Sequence, residues 1–231
     1  MTALEDALSA VAVPTLSAVL YARGLRSRFL HGVAAANPAA RFAGPAYTVR
    51  AIPVREDLRE AVAAGRSENL HRRFLSEAPT GAVVVFSTGG AAHVSVLGDI
   101  IATAMGRNGV AGFVTDTGVA DLPAVARLPL PVFHAGGSAP VPSGAAVSVV
   151  DREVAVGIAG VAVFPGDLMV GDGSGVVCIP RAIAAEAAAE AAEKERFEAW
   201  VVGQVEGGAA LDGLYPPDAG TKARYAASTR G

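Results

Sequence analysis

The run Ala82-Val83-Val84-Val85-Phe86 is continuously apolar and bounded by turns, Pro79-Thr80-Gly81 before it and Gly89-Gly90 after it. Such a run without polar alternation marks a strand buried on both faces, as in a parallel sheet covered by helices. Phe42 to Ile52 reads as a longer strand: Tyr47, Val49 and Ala51 alternate with Thr48 and Arg50, Gly44-Pro45 interrupts it and Pro53 ends it. Ahead of it, Ala3–Val11 and Leu16–Arg23 carry a helical pattern, divided by Pro14 and stopped by Gly24. Arg55–Ala64 and Asn69–Glu77 are polar, amphipathic and helical.

The stretch Gly98 to Asp121 organises the chain. Gly98-Asp99 precedes the apolar residues Ile100, Ile101 and Met105, so Asp99 falls at the expected N-cap of a helix whose first N–H groups remain open to an anion. Gly109 and Gly112 close that helix, Gly112-Phe113-Val114-Thr115 is strand-like, and Asp116-Thr117-Gly118 turns towards Asp121. Packed as one strand–turn–helix unit, the two turns face one cleft and offer Asp99 and Asp121 to a hard cation such as Mg²⁺. The plainer alternative is that Asp99 caps its helix and Asp121 starts the next.

Leu122–Leu128 is a short helix and Leu130–His134 a strand. Strand ends are where sites gather in α/β folds, which makes His134 a candidate substrate contact. Five short strands follow, Val147–Val150, Glu153–Ile158, Val161–Phe164, Leu168–Val170 and Val176–Ile179, spaced as in a β-meander or small barrel-like layer. Asp167 and Asp172 lie in Gly-Asp dipeptides and read as turn formers. Pro180 opens the longest helix, Arg181 to about Val205, whose Glu186, Glu190, Glu193, Glu195 and Glu198 give it an acidic side. A helix of that length is expected to pack across a subunit boundary, and the tail from about residue 216 to fray.

Composition narrows the reading. A chain of 231 residues supports one domain with a sizeable core. Only 6% of residues are aromatic, so that core must be aliphatic, and 27 glycines suit an α/β domain with many tight turns. A net charge of −3 without a Lys/Arg block gives no basis for nucleic-acid or membrane-surface binding. Cys178, the single cysteine, sits in an apolar run and reads as a buried small hydrophobe. No stretch has the charged start and apolar core of a leader, and none approaches 18 apolar residues, so a soluble cytoplasmic protein is expected. G-x-S-x-G, H-E-x-x-H, C-x-x-C and Walker patterns do not occur.

Gly98-Asp99-Ile100-Ile101 followed by Gly118-Val119-Ala120-Asp121 is similar to the RraA-like proteins, whose pattern is GDxx, a helix, a glycine-bounded strand and then G-x-R-D. Gly44-Pro45-Ala46-Tyr47-Thr48-Val49-Arg50, Pro131-Val132-Phe133, Pro165-Gly166-Asp167 and Gly171 to Val177 extend the resemblance, from about Val13 to Tyr215. The family includes class II 4-hydroxy-4-methyl-2-oxoglutarate aldolases, oxaloacetate decarboxylases and RNase-inhibiting RraA proteins. The resemblance implies a swivelling β/β/α layered α/β domain with a long C-terminal helix, assembled as a homotrimer or hexamer with sites between subunits.

It further implies Mg²⁺ (or Mn²⁺) held directly by Asp121, with Asp99 accepting from a metal-bound water. The N–H groups of Ile100 and Ile101, behind Gly98, would take the carboxylate of a small 2-oxo acid. A glutamate from a neighbour's C-terminal helix would complete the site: Glu198 fits best, with Glu195 as the alternative. The arginine of G-x-R-D is Ala120 here, and a methyl group cannot donate the paired bonds a guanidinium brings to an enolate. Three readings follow: a metal-dependent lyase for aldol cleavage or decarboxylation, a non-catalytic RraA-type binding protein, or a specialised enzyme using the same metal for another reaction.

Overall fold

The computed structural model describes residues 2–91, 93–139 and 146–229. The helices are α1 (Ala3–Ser9), α2 (Val13–Ala22), α3 (Glu56–Ala63), α4 (Leu70–Glu77), α5 (Asp99–Arg107), α6 (Leu122–Val125), α7 (Ala184–Glu206) and α8 (Ala219–Ser228). The strands are β1 (Ala34–Ala35), β2 (Phe42–Pro53), β3 (Val83–Ser87), β4 (Gly112–Thr115), β5 (Gly118–Val119), β6 (Val132–His134), β7 (Gly136–Gly137), β8 (Val147–Arg152), β9 (Val156–Ile158), β10 (Val161–Val163), β11 (Leu168–Asp172) and β12 (Gly175–Ile179).

The buried run at Val83 becomes β3, parallel to β2 on one side and β4 on the other, and β4 is parallel to β6. On the far side of β2 the pairing is antiparallel: β11 joins at Phe42–Pro45 and continues into the β11–β12 hairpin, and β8 joins at Val49–Pro53. The sheet order is β1-β6-β4-β3-β2-β11-β12, with β8 on β2. Residues 28–35 nearly close it. Leu30 N donates to Val176 O and Cys178 N to Arg28 O, while Ala34 and Ala35 pair with His134 and Phe133.

The last strands therefore form no separate meander. β8, β11 and β12 join the sheet of the front half, and only β9 and β10 stand apart as a hairpin. The barrel-like element draws strands from both halves because burying both sheet faces requires them to share one core.

That core has three parts. Inside the curl lie Phe42, Val83, Val85, Val114, Phe133 and Met169, plugged by Ile158 of the β9–β10 hairpin. Outside, Val84, Phe86 and Phe113 pack beneath α4 and α5 through Phe74 and Met105. On the other flank, α1, α2 and the Ala184–Ala191 half of α7 cover Leu168, Val170 and Val177. Burying each phenylalanine contributes about 1.5–3 kcal/mol, and alanine lets α7 approach closely. Cys178 is buried, and burial beside Asp167 pushes its thiol pKa up, so it behaves as a small hydrophobe.

The chain past Gly207 folds back as α8. Asp218 caps it by accepting the Thr221 N–H at 2.7 Å, and Tyr225 packs edge-on to Phe197 of α7. Among the described residues, no single helix is long and apolar enough to cross a membrane.

Candidate active site

Three backbone segments lie side by side above the sheet. Residues 94–97 run next to Gly118: Gly118 N donates to Val94 O at 3.0 Å, and Ala120 N donates to Leu97 O at 2.8 Å. On the other side β5 pairs in parallel with β7, Gly118 opposite Gly136. This bonding brings the start of α5 to the turn holding Asp121. The approach is close: a β-carbon on Gly98 would stand 3.0 Å from Asp121 Oδ2. One on Gly118 would collide with the Ser138 side chain and lie 2.7 Å from Val94 O. Glycine is required at Gly118, where backbone blocks a side chain, while at Gly98 the one neighbouring group is the Asp121 carboxylate itself.

The N-cap of α5 is Gly98, one residue earlier than the sequence pattern suggests; Asp99 is the first helical residue and its side chain makes no capping bond. Asp121 is the N-cap residue of α6, in left-handed backbone (φ 51°), again without a side-chain capping bond. The plainer reading holds for Asp121 as the residue that starts α6, its carbonyl accepting from Ala124 N and Val125 N, whereas neither aspartate's side chain caps a helix. Neither carboxylate has a hydrogen-bond or ion-pair partner among the described residues. Asp99 is half-buried and Asp121 exposed. Ile100 is 81% exposed beside them, whereas Ile101 packs into the core. The N–H groups of Asp99, Ile100 and Ile101 precede the first intrahelical donor, Ala102 N to Gly98 O, and stay open at the positive end of the helix.

One chain thus brings together Gly98, Asp99, Ile100, Ile101 and Asp121. Glu198 belongs elsewhere: α7 packs on α1 and α2, and the Glu198 carboxylate accepts from Lys194 Nζ at 2.7 Å and from the Tyr215 hydroxyl at 3.5 Å. Glu195 is tied up within its own chain, accepting the Ala12 N–H at 2.6 Å. His134 is buried, and its Nδ1 accepts the Gly136 N–H at 2.9 Å, so its ring contacts backbone. Burial holds its pKa below the ordinary histidine value. His93 is exposed on its loop. Two arginines that could in principle replace the one absent at Ala120 are placed elsewhere: Arg50 pairs with Asp151 at 3.4 Å, and Arg107 ends α5, opposite the helix start.

The carboxylate the sequence reading passed over is Asp116. It is buried, and it accepts from Thr88 N at 2.8 Å, Thr88 Oγ1 at 3.0 Å and Gly90 N at 2.9 Å, locking the loop after β3 to the end of β4. It also borders a cavity of about 430 Å³ at the mouth of the curled sheet, whose walls include Gly90, Ala135 and Gly157. Its donors lie 26–28 residues away, which no local motif could reveal. Asp167 and Asp172 bond their own turns as expected, through Phe164 N and Ser174 N, and reach further, to Arg181 N and Val13 N.

Among the described residues no three His, Cys, Asp or Glu side chains converge on one point. A divalent ion with mostly water ligands needs only one or two carboxylates, and partnerless Asp99 and Asp121 around the space left by Gly98 fit that description.

A mixed α/β domain with a nearly closed sheet, a long C-terminal helix and paired carboxylates at a helix start is the class these features define. The chain belongs to the RraA-like family, described as Aldolase/RraA, whose sequence model matches residues 4–178. A protein named putative 4-hydroxy-4-methyl-2-oxoglutarate aldolase from Halalkalibacterium halodurans is 32% identical over 105 residues, 46% of this chain. The match spans about half (49%) of that relative's length. Among solved structures, an uncharacterized protein from Pseudomonas syringae superposes with a TM-score of 0.79 at 28% identity, over 92% of this chain and 96% of that one. Streptomyces coelicolor RraAS2, titled an unusual member of the RNase ES inhibitor RraA protein family, gives 0.74 at 31% identity, over 85% and 94%.

Proposed function

We propose that the protein is a divalent-metal-dependent carbon–carbon lyase for a small 2-oxo acid, weakened relative to a site that carries the arginine. The observation behind this reading is the pair of partnerless carboxylates, Asp99 and Asp121, beside the open N–H groups of Ile100 and Ile101. Mg²⁺ or Mn²⁺ bound there would neutralise the negative charge that builds on the 2-oxo group as the adjacent carbon–carbon bond breaks. Asp121 would hold the ion and Asp99 accept from one of its waters. The helix start would receive the substrate carboxylate and orient it. Ala120 donates only its backbone N–H, to Leu97 O, and leaves the enolate oxygen without a cationic side chain.

The site is proposed to be completed by Glu198 of a neighbouring copy in a homotrimer or hexamer. Supporting this, Val202, Val205, Leu211 and Tyr215 are exposed where α7 ends and the chain turns back. Light scattering showing a stable monomer at micromolar concentration would remove Glu198 from the site.

The test is pyruvate release from oxaloacetate and from 4-hydroxy-4-methyl-2-oxoglutarate, with Mg²⁺ and with chelator. Slow, metal-dependent release that vanishes in Asp121→Ala is expected. A second reading, a non-catalytic binding protein, is favoured by Ala120 and by the inhibitor family named for RraAS2. Absence of both metal binding and turnover would select it.

A further inference from the structure

His134 is the buried titratable group next to the site that the proposed chemistry does not use. It ends β6, and because Nδ1 accepts the Gly136 N–H, the ring proton sits on Nε2. Nε2 is buried without a partner among the described residues. The ring's contribution is therefore its grip on Gly136.

That grip fixes the edge of a small ribbon. Gly136 has φ +151°, open to glycine alone, and neither Gly136 nor Gly137 has a side chain to pack β7 in place. Beyond the imidazole, β7 is held through Ala135 N to Thr117 O and Ser138 N to Val119 O, both at 3.0 Å, and the register of Val119 with Gly137. The middle strand of the ribbon is 117–120, and its next residue is Asp121. Residues 94–97 form the third strand, and their next residue is Gly98. Spacing across the ribbon is tight, since the Ser138 side chain sits where a β-carbon of Gly118 would be. A shift of β7 is thus passed to β5 and on to Asp121.

We propose that His134 is a positioning residue: by accepting the Gly136 N–H it anchors β7 to the main sheet, and through β5 it sets the place of the Asp121 carboxylate beside Gly98. The proposal rests on Asp121 being the metal-holding carboxylate.

The test uses the full-length protein, Mg²⁺ alone as probe, and two readouts: affinity by calorimetry and amide hydrogen exchange over residues 117–121. In His134→Asn, Oδ1 stands close to the place of Nδ1 and can accept the same N–H; in His134→Leu nothing can. The leucine variant is expected to lose tenfold or more in Mg²⁺ affinity and to exchange at least tenfold faster at 117–121. The asparagine variant should stay within threefold of the native protein on both. If the leucine variant does not fold, His134→Gln takes its place, because its amide reaches the Nε2 position and leaves Gly136 without an acceptor. Native affinity and exchange without an acceptor would overturn the proposal, as would an asparagine variant no better than leucine. Asp121→Asn separates the two ideas: unchanged Mg²⁺ affinity there refutes the metal reading, and exchange at 117–121 then decides on His134 by itself.

Discussion

Asp116 and Asp121 stand at the two ends of the segment of residues 117–120 that contains β5, and the fold surrounds their carboxylates in opposite ways. Asp116 is buried under three donors from Thr88 and Gly90, and Asp172, on the far flank, accepts from Val13 and Ser174. Asp121 and Asp99 lie within reach of backbone donors at helix starts and bond none of them. A carboxylate that satisfies buried N–H groups stabilises the fold, because donors such as those of Thr88 and Val13 would otherwise be stranded away from water. A carboxylate held beside donors it does not use is available to something from outside. The difference predicts that the two kinds of aspartate fail differently when replaced.

The largest effect is expected at Asp116. Asp116→Ala strands the two buried donors of Thr88 at about 1–3 kcal/mol each and releases the Gly90 N–H to solvent, so urea denaturation should show about 2–6 kcal/mol lost. A loss under about 1 kcal/mol would erase the contrast. Asp121→Ala should leave stability within about 0.5 kcal/mol while lowering Mg²⁺ affinity at least about 100-fold, equivalent to roughly 2.7 kcal/mol. Destabilisation without loss of Mg²⁺ binding would move Asp121 into the class of Asp116. Ala120→Arg should raise pyruvate release about tenfold, worth roughly 1.4 kcal/mol, by supplying charge opposite the developing enolate. No gain would point away from lyase chemistry.

The smallest effect concerns pH. Burial lowers the folded-state pKa of His134 below its ordinary 6.5, so on acidification the unfolded chain takes up this proton first. Its contribution to stability is full above about pH 6.5 and is lost as pH falls below that, at up to about 1.4 kcal/mol per pH unit. Denaturation midpoints of native protein and His134→Asn should therefore converge or cross between pH 7 and pH 5, the variant losing less. Parallel lines would show that His134 does not titrate on unfolding.

Much of the fold was legible because its signals are local. The unbroken Val83–Phe86 run, the alternation through Tyr47, Val49 and Ala51, and the glycine-bounded Phe113–Thr115 segment all became sheet strands where expected. The pairing of strands was not legible: β8 and β11 both read as members of a late β layer, yet each finds its partner in β2, about a hundred residues or more earlier in the chain. Helix α8 was missed although Asp218 supplies a capping signal, because Pro216-Pro217 and Gly220 outweigh it by propensity. At the site, Gly98, Asp99 and Asp121 were singled out from glycine–aspartate spacing and the family pattern, and the fold brings the three near one another. Asp116 and the His134–Gly136 bond were not, since their importance lies in which distant backbone groups they meet.

Closure of the sheet by residues 28–35 has a consequence for how the protein comes to be made. The segment that seals the barrel leaves the ribosome early, while its partner, Val176 to Cys178, emerges near the end of the strand-forming chain. Until then residues 28–30 have no strand to pair with, and the last pairing is the one of greatest sequence separation. Synthesis halted before Gly175 would release an open, apolar curl rather than a smaller version of the protein. Shortened forms ending ahead of that strand are accordingly expected to aggregate, whereas the chain carried through Ile179 contains every strand the seam requires.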